Sequence, residues 1–296
     1  MAHDHGHVHQ ANRGNLRRVM IALVLTGSFM IVEVIGGIVS GSLALLADAG
    51  HMLTDTMALG LAAMAFHVSK RPPDGRLTYG YQRFQILAAF VNGLSLLVIV
   101  GWILFEAAHR FLSPNPVLGE TMLAVAAAGL LINIASFAVL HTGDKENLNI
   151  RGAALHVAGD LLGSVAAIVA ALVIIYTGWT PIDPILSVAV AGLILKSAWM
   201  LVRRSAHVLL EGAPEWLDVN AMQARIVTVV TGVDEIHHVH IWGLTPQQLM
   251  LTMHISLSCD VSQQSDVLRA VKEFLRKEYG IGHATIEVDI DGCADV

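Results

Sequence analysis

The stretch LLADAGHMLTDTMALG, residues 45–60, has the apolar character of a membrane span, yet Asp48, His51 and Asp55 recur within it at offsets of zero, three and seven. On a helix those offsets place three ionisable side chains on one stripe. A lone carboxylate at mid-bilayer costs roughly 2.5–3.5 kcal/mol on insertion scales. The stripe therefore demands compensation from elsewhere in the chain.

The composition bears out the membrane setting, because 54% hydrophobic against 14% charged residues is too apolar for an ordinary soluble domain. Apolar runs long enough to cross about 30 Å of hydrocarbon, roughly 20 residues each, occur near 19–39, 43–67, 84–108, 118–140, 153–177 and 182–202. Six transmembrane helices are expected. The first run has no small-residue cleavage site and is expected to stay in the mature chain. Arg13, Arg17 and Arg18 precede it; Lys70, Arg71, Arg76 and Arg83 separate the second and third runs; Lys145 and Arg151 separate the fourth and fifth; and Arg203 and Arg204 follow the sixth. The opposite loops offer only Arg110. Basic residues stay on the cytoplasmic side, so both termini are expected in the cytoplasm and the protein in the cell's inner membrane. Cys259 and Cys293 then face a reducing compartment, and no structural disulfide is expected. The chain divides into a His-rich disordered tail (1–16), a transmembrane domain (17–210) and a soluble cytoplasmic domain (211–296). The last reads helix, strand, strand, helix, strand, an α+β domain of αββαβ order. Nothing points to a nucleic acid as partner.

The compensation lies in LHVAGDLLGS, residues 155–164, where His156 and Asp160 are four apart, as are His51 and Asp55. Each helix thus presents one imidazole and one carboxylate on the same face. Two such helices, packed face to face, form a cage of two nitrogens and two oxygens, which suits the tetrahedral preference of Zn²⁺, and two carboxylates balance its charge. Gly159 and Gly163 are expected to permit close helix approach. Asp48, Asn92 and Asn133 are read instead as hydrogen-bonding residues between helices.

The stretches GSLALLADAGHMLTDT, LAAFVNG, NLNIRGAALHVAGDLLGS, GWTPIDPILS, LLEGAP and HHVHIW together sample nearly the whole chain, and they resemble the cation diffusion facilitator family, especially its bacterial zinc-exporting branch. The resemblance implies a homodimer of six-span protomers that exchanges divalent metal for protons, with a cytoplasmic domain of metallochaperone-like fold. It places the transport site on His51, Asp55, His156 and Asp160, the four residues that spacing selects. His51, where broader-range relatives carry a carboxylate, leans the expectation to zinc.

Strand alternation supplies a second candidate site. Leu251, Met253, Ile255 and Leu257 share one face and leave Thr252 and His254 on the other; Val239 and Ile241 turn inward with His238 and His240 outward; Ile286 and Val288 turn inward with Glu287 and Asp289 outward. His240, His254, Glu287 and Asp289 are the expected ligands of a regulatory zinc, similar to the family's cytoplasmic site, although Glu287 stands where some relatives have His.

Three function classes fit buried His and Asp. A transporter uses them as an ion path. An intramembrane metalloprotease needs an open coordination position and a general base, and the chain has no H-E-x-x-H. A membrane-bound metal sensor accounts for the soluble domain but not for a charged cage at membrane depth. The expectation is no enzyme but a zinc efflux transporter working by alternating access, with protons competing for the metal ligands.

Overall fold

The computed structural model describes residues 5–69, 71–141, 148–245, 248–258 and 263–289; the side chains of 5–19, 55, 58, 59, 62, 63, 66 and 148–156 lie outside that description. Six helices come first: α1 (His5–Ser40), α2 (Leu43–Ser69), α3 (Phe84–Leu112), α4 (Gly119–His141), α5 (Leu148–Thr177) and α6 (Ile182–Leu209). Each expected span coincides with one of them to within a residue at its apolar end. Met20–Ser40, Phe84–Leu112, Gly119–His141, Val157–Thr177 and Ile182–Leu209 are each apolar and long enough to cross a bilayer, and α2 adds a shorter described apolar stretch, Leu43–Thr54. The protein is a six-helix membrane protein with a C-terminal α+β domain.

The expected disordered tail is partly overturned, since α1 is helical from His5. Once a span has nucleated a helix, each further residue adds a hydrogen bond for little cost, and Ala11, Leu16, Arg17 and Arg18 are good helix formers. The His-rich side chains themselves lie outside the described residues, as do Cys259 and Cys293.

By contact the chain forms two compact units: residues up to Leu61 with Val91–Met200, and Ala62–Phe90 with residues from Leu201 onward. In the first, α2 is the shared helix. Leu43 and Ala47 pack with Val100 and Ile103 of α3 and Ala191 and Ile194 of α6. Ala44 and Leu45 pack with Met122 and Ala126 of α4 and Ala170, Ala171 and Ile174 of α5. Small residues dominate these seams because backbones that approach closely gain dispersion contacts where lipid supplies no hydrophobic drive. At Gly36 an added Cβ would lie 2.5 Å from Val125 of α4, so α1 and α4 meet there only because glycine has no side chain.

The start of α2 is fastened in place. Gly41 turns the chain at a φ of 70°, and the buried carboxylate of Asp183, at the start of α6, accepts hydrogen bonds from Ser42 Oγ at 2.6 Å, Leu43 N at 2.7 Å and Ala44 N at 3.2 Å. The two backbone N–H groups are orphan donors of a helix N-terminus, and Leu43 N finds its acceptor 140 residues away in sequence. Arg110 of α3 lies 3.6 Å from the same carboxylate and donates to the Gly41 carbonyl. Two helices, α3 and α6, thus hold the end of the helix that carries His51.

The C-terminal domain runs α7 (Val219–Val229), β1 (Val233–Thr245), β2 (Gln248–Leu257), α8 (Gln264–Tyr279) and β3 (His283–Asp289). This is the expected αββαβ order. β1 pairs with β2 antiparallel and β2 with β3 parallel. The alternating Leu249, Leu251, Met253 and Ile255 of β2 join Met222 and Ile226 of α7 and Val271 and Leu275 of α8 in one core. Each such side chain, fully buried, contributes roughly 1.5–3 kcal/mol. Gly280 at φ 68° closes α8 and returns the chain to β3.

Candidate metal sites

In the membrane unit, Asp160 of α5 is 4% exposed and His51 of α2 is half-buried, its carbonyl accepting from Thr54 Oγ1 at 2.7 Å. The side chains of Asp55 and His156 lie outside the described residues, so the four expected ligands are located here by backbone register. Ala44 and Leu45 of α2 meet Ala167–Ile174 of α5, and further along α2 the Asp48 carboxylate reaches α5 at Gly163, where an added Cβ would lie 3.4 Å from its Oδ1. Ascending α2 therefore descends α5. From the Asp48–Gly163 contact, three residues along α2 is His51 and three back along α5 is Asp160; seven along is Asp55 and seven back is His156. Equal steps on two α-helices rise equally at 1.5 Å per residue, so the backbones of the two pairs stand level. Gly163 has the role expected of it. Gly159 does not: it is exposed, with nothing within 4 Å of an added Cβ.

The second cluster sits on the polar face of the C-terminal sheet. His237 of β1, His254 of β2 and Asp289 of β3 each offer one ligand atom, all within 4.8 Å of one another. His237 Nε2 is 2.8 Å from Asp289 Oδ2 and His254 Nδ1 is 3.3 Å from Asp289 Oδ1, while His254 Nε2 is 3.8 Å from Glu287 Oε2. Despite the 2.8 Å approach, both atoms are buried without a hydrogen-bond partner among the described residues. Buried polar atoms of this kind can be satisfied by an ion or a water. Zinc bonds of 2.0–2.1 Å at tetrahedral angles separate neighbouring ligand atoms by about 3.4 Å, a spacing that three atoms within 4.8 Å of one another can reach with small side-chain rotations. The donor set therefore fits a zinc ion.

One expected ligand is displaced. The strand breaks register between His237 and His240: His237 pairs with His254, and His240 pairs with Thr252, two residues along. Ile236 and Val239 both face the core, three apart rather than two, so an extra residue is accommodated between them. That residue is His238, in the left-handed region at φ 47°. Its ring packs 5.3 Å from that of His254. A bulge of this kind moves side chains to new positions along the face, and it brings His237, not His240, opposite His254.

The model of the cation efflux transmembrane domain matches residues 19–210, and that of the cation efflux protein cytoplasmic domain matches residues 214–291. The chain belongs to the cation efflux family. This cation efflux protein is 50% identical over 296 residues to "Zinc transporter ZitB" of Pectobacterium atrosepticum, covering 100% of this chain and 91% of the relative. It is 42% identical over 288 residues to "Metal cation efflux system protein CzcD" of Cupriavidus metallidurans, covering 97% and 91%. It is 40% identical over 288 residues to the "Cadmium, cobalt and zinc/H(+)-K(+) antiporter" of Bacillus subtilis, covering 96% and 92%. The cation diffusion facilitators resembled by its motifs are this family.

Sequence reasoning also missed residues beside the membrane site. Glu33 of α1 is 2% exposed, shares a hydrogen bond with Asp48 and lies within electrostatic reach of Asp160. Its signal was a single acid in the apolar run MIVEVIGGIVS, residues 30–40. Asn133 of α4, read as a hydrogen-bonding residue, does donate to Ser164 Oγ of α5 at 3.2 Å, and both are buried. Polar side chains from four helices, α1, α2, α4 and α5, thus converge near the Asp48–Gly163 contact, about one turn from Asp160 and His51, in the cation efflux protein.

Proposed function

We propose that this protein exports zinc from the cytoplasm in exchange for protons, by alternating access, with His51, Asp55, His156 and Asp160 holding the ion in transit. The observation that carries the reading is the register set by Asp48 against Gly163, which levels the two His–Asp pairs on adjoining helices. Two carboxylates offset the charge of one zinc ion, so the loaded cage stands in hydrocarbon without net charge. Imidazole and carboxylate bind metal only when deprotonated. Protons arriving from the far side therefore compete with the ion and help release it, and the emptied, protonated site returns. The names of the relatives, a zinc transporter and a cadmium, cobalt and zinc antiporter, support both the cargo and the exchange.

In this reading residues 17–210 carry the ion, the termini and residues 211–296 are cytoplasmic, and the protein works as a homodimer in the inner membrane. His237, His254 and Asp289, with Glu287 at the rim, hold a regulatory zinc ion on the C-terminal sheet, where it ties all three strands together. The test is zinc uptake by proteoliposomes under an imposed pH gradient. Uptake that rises when the trans side is acidified is the expected result. A rate indifferent to the gradient would refute the exchange, and no uptake of zinc at all would refute the transporter.

A further inference from the structure

The loop between α2 and α3 carries Lys70, Arg71, Arg76 and Arg83 against a single acid, Asp74. It is a built structure. The Asp74 carboxylate accepts from the backbone N–H groups of Arg76 and Leu77, both at 2.8 Å, and from Tyr81 Oη at 2.6 Å. These bonds hold its carboxyl below the usual carboxylate range, with the Tyr81 hydroxyl the largest cause. Asp74 is thus occupied within the loop. Beside it lies a cavity of about 350 Å³, walled by Arg76, Tyr79, Arg83 and Phe84 from the loop and by Glu211 and Trp242 from the C-terminal part of the same compact unit.

The charges in this cavity do not close. Two guanidinium groups meet one carboxylate, and only Arg83 pairs with it, through Nη2 and Glu211 Oε1 at 3.1 Å. Arg83 Nε is buried and has no hydrogen-bond partner among the described residues. A guanidinium has five donors in a planar fork that matches phosphate oxygens, so the cavity lacks an oxyanion. Its position says which. The loop begins where α2 ends at Ser69 and finishes where α3 starts at Phe84, which is the depth at which two spans leave the bilayer. Tyr79 and Phe84 are exposed there, as amphipathic aromatic residues are at headgroup level. The volume is near the lower end of ligand cavities, about 300 Å³, which suits a headgroup.

We infer that this cavity binds the phosphodiester headgroup of an anionic phospholipid, clamped between Arg76 and Arg83. The phosphate oxygens accept from the Arg83 and Arg76 guanidinium groups that line the cavity, while the glycerol backbone lies along Phe84 and Tyr79. Because Trp242 belongs to β1, the lipid ties the strand that carries His237 to the membrane loop. The inference rests on the cytoplasmic placement of the loop for its biological setting, but binding in detergent does not depend on that placement or on zinc transport.

The experiment is native mass spectrometry of the full chain in detergent, titrated with phosphatidylglycerol or with phosphatidylcholine of the same acyl chains. Each surface arginine contributes on the order of fivefold to the affinity for anionic lipid. The expected result is preferential retention of phosphatidylglycerol by the native protein and about a 25-fold loss in Arg76→Gln/Arg83→Gln, with little change in an Arg203→Gln/Arg204→Gln control. Equal retention of the two lipids by the native protein overturns the inference whatever the variants do, and so does an equal loss in the control. Glycerol 3-phosphate binding as tightly as phosphatidylglycerol would assign the cavity to a soluble phosphate ester and overturn the lipid.

Discussion

Substitution at Gly163 tests the contact on which the membrane site depends. Its Cβ would sit 3.4 Å from the Asp48 carboxylate oxygen, at the edge of ordinary contact. Alanine therefore fits with a shift of a few tenths of an ångström, and the helix gains roughly 0.5–1 kcal/mol from losing glycine's backbone freedom. Gly163→Ala is expected to fold and to transport within a few-fold of the native protein. Leucine carries further carbons into a gap already at contact distance, so α2 and α5 must separate. Overpacking of this kind costs about 1–3 kcal/mol, which a folded bundle tolerates. The functional cost is larger, because displacement of a ligand set by about 1 Å can lower a rate on the order of 100-fold. Gly159→Leu, four residues away on the same helix in open space, is the matched control, expected to transport nearly as the native protein does. The assay is initial zinc uptake by proteoliposomes at saturating zinc, with thermal unfolding in detergent alongside. A Gly163→Leu variant that transports like Gly159→Leu while remaining folded would refute the register argument, and with it the levelling of His51 with Asp160.

The remaining predictions concern the other groups. Asp183→Ala removes the acceptor of three buried hydrogen bonds in the membrane unit, while Arg110 keeps Glu106 at 2.9 Å, so the unsatisfied donors are expected to cost about 3 kcal/mol; a loss under about 1 kcal/mol in reversible unfolding would show that the α2 terminus is held by other means. In an Asp160→Ala background, which disables the membrane site, His237→Ala is expected to weaken zinc binding to the C-terminal cluster by at least about 100-fold and His240→Ala to leave it within a few-fold, as measured by calorimetry; the reverse order would restore His240 to the ligand set. His51→Asp replaces a borderline nitrogen with a hard, charged oxygen and leaves the loaded cage one charge too negative, so cadmium should gain on zinc in competitive uptake, and an unchanged ratio would place selectivity elsewhere.

The fold was legible where one physical demand acts along the chain. Six apolar runs had to be helices because hydrocarbon satisfies no backbone group, and α7 to β3 followed from periods of 3.6 and 2. The paired spacing of 51 with 55 and 156 with 160 was legible for the same reason, since a step of four is a property of one helix. Asp183 was not. Its cap on α2 joins residues far apart in sequence, and TPIDPILS contains nothing that specifies an acceptor for a distant helix rather than for its own. Glu33 stayed hidden because a lone acid in a span has no internal partner to mark it, while the residues it meets, Asp48 and Asp160, lie on two other helices.

The displaced histidine shows where alternation fails and why it fails at a site. In EIHHVHIW, residues 235–242, three histidines stand within four positions, so a slip of one residue exchanges one imidazole for another with no change in composition. Apolar anchors would ordinarily expose such a slip, and here they do only in three dimensions: Ile236 and Ile241 both face the core although five positions, an odd number, separate them. Strict alternation allows only even separations on one face, so one residue between these two had to leave the pleat. Taking Ile236 together with Ile241 as core anchors thus locates the bulge between 237 and 240 and puts His237 opposite His254. A left-handed, non-glycine residue at His238 costs on the order of 1–3 kcal/mol. A strand bears such a cost when the bulged geometry gains something that the straight one lacks, and here the gain is the approach of His237 to Asp289. The zinc dependence of the C-terminal domain should accordingly be lost in a variant that relieves the bulge, deletion of His238, even though His237, His254 and Asp289 all remain.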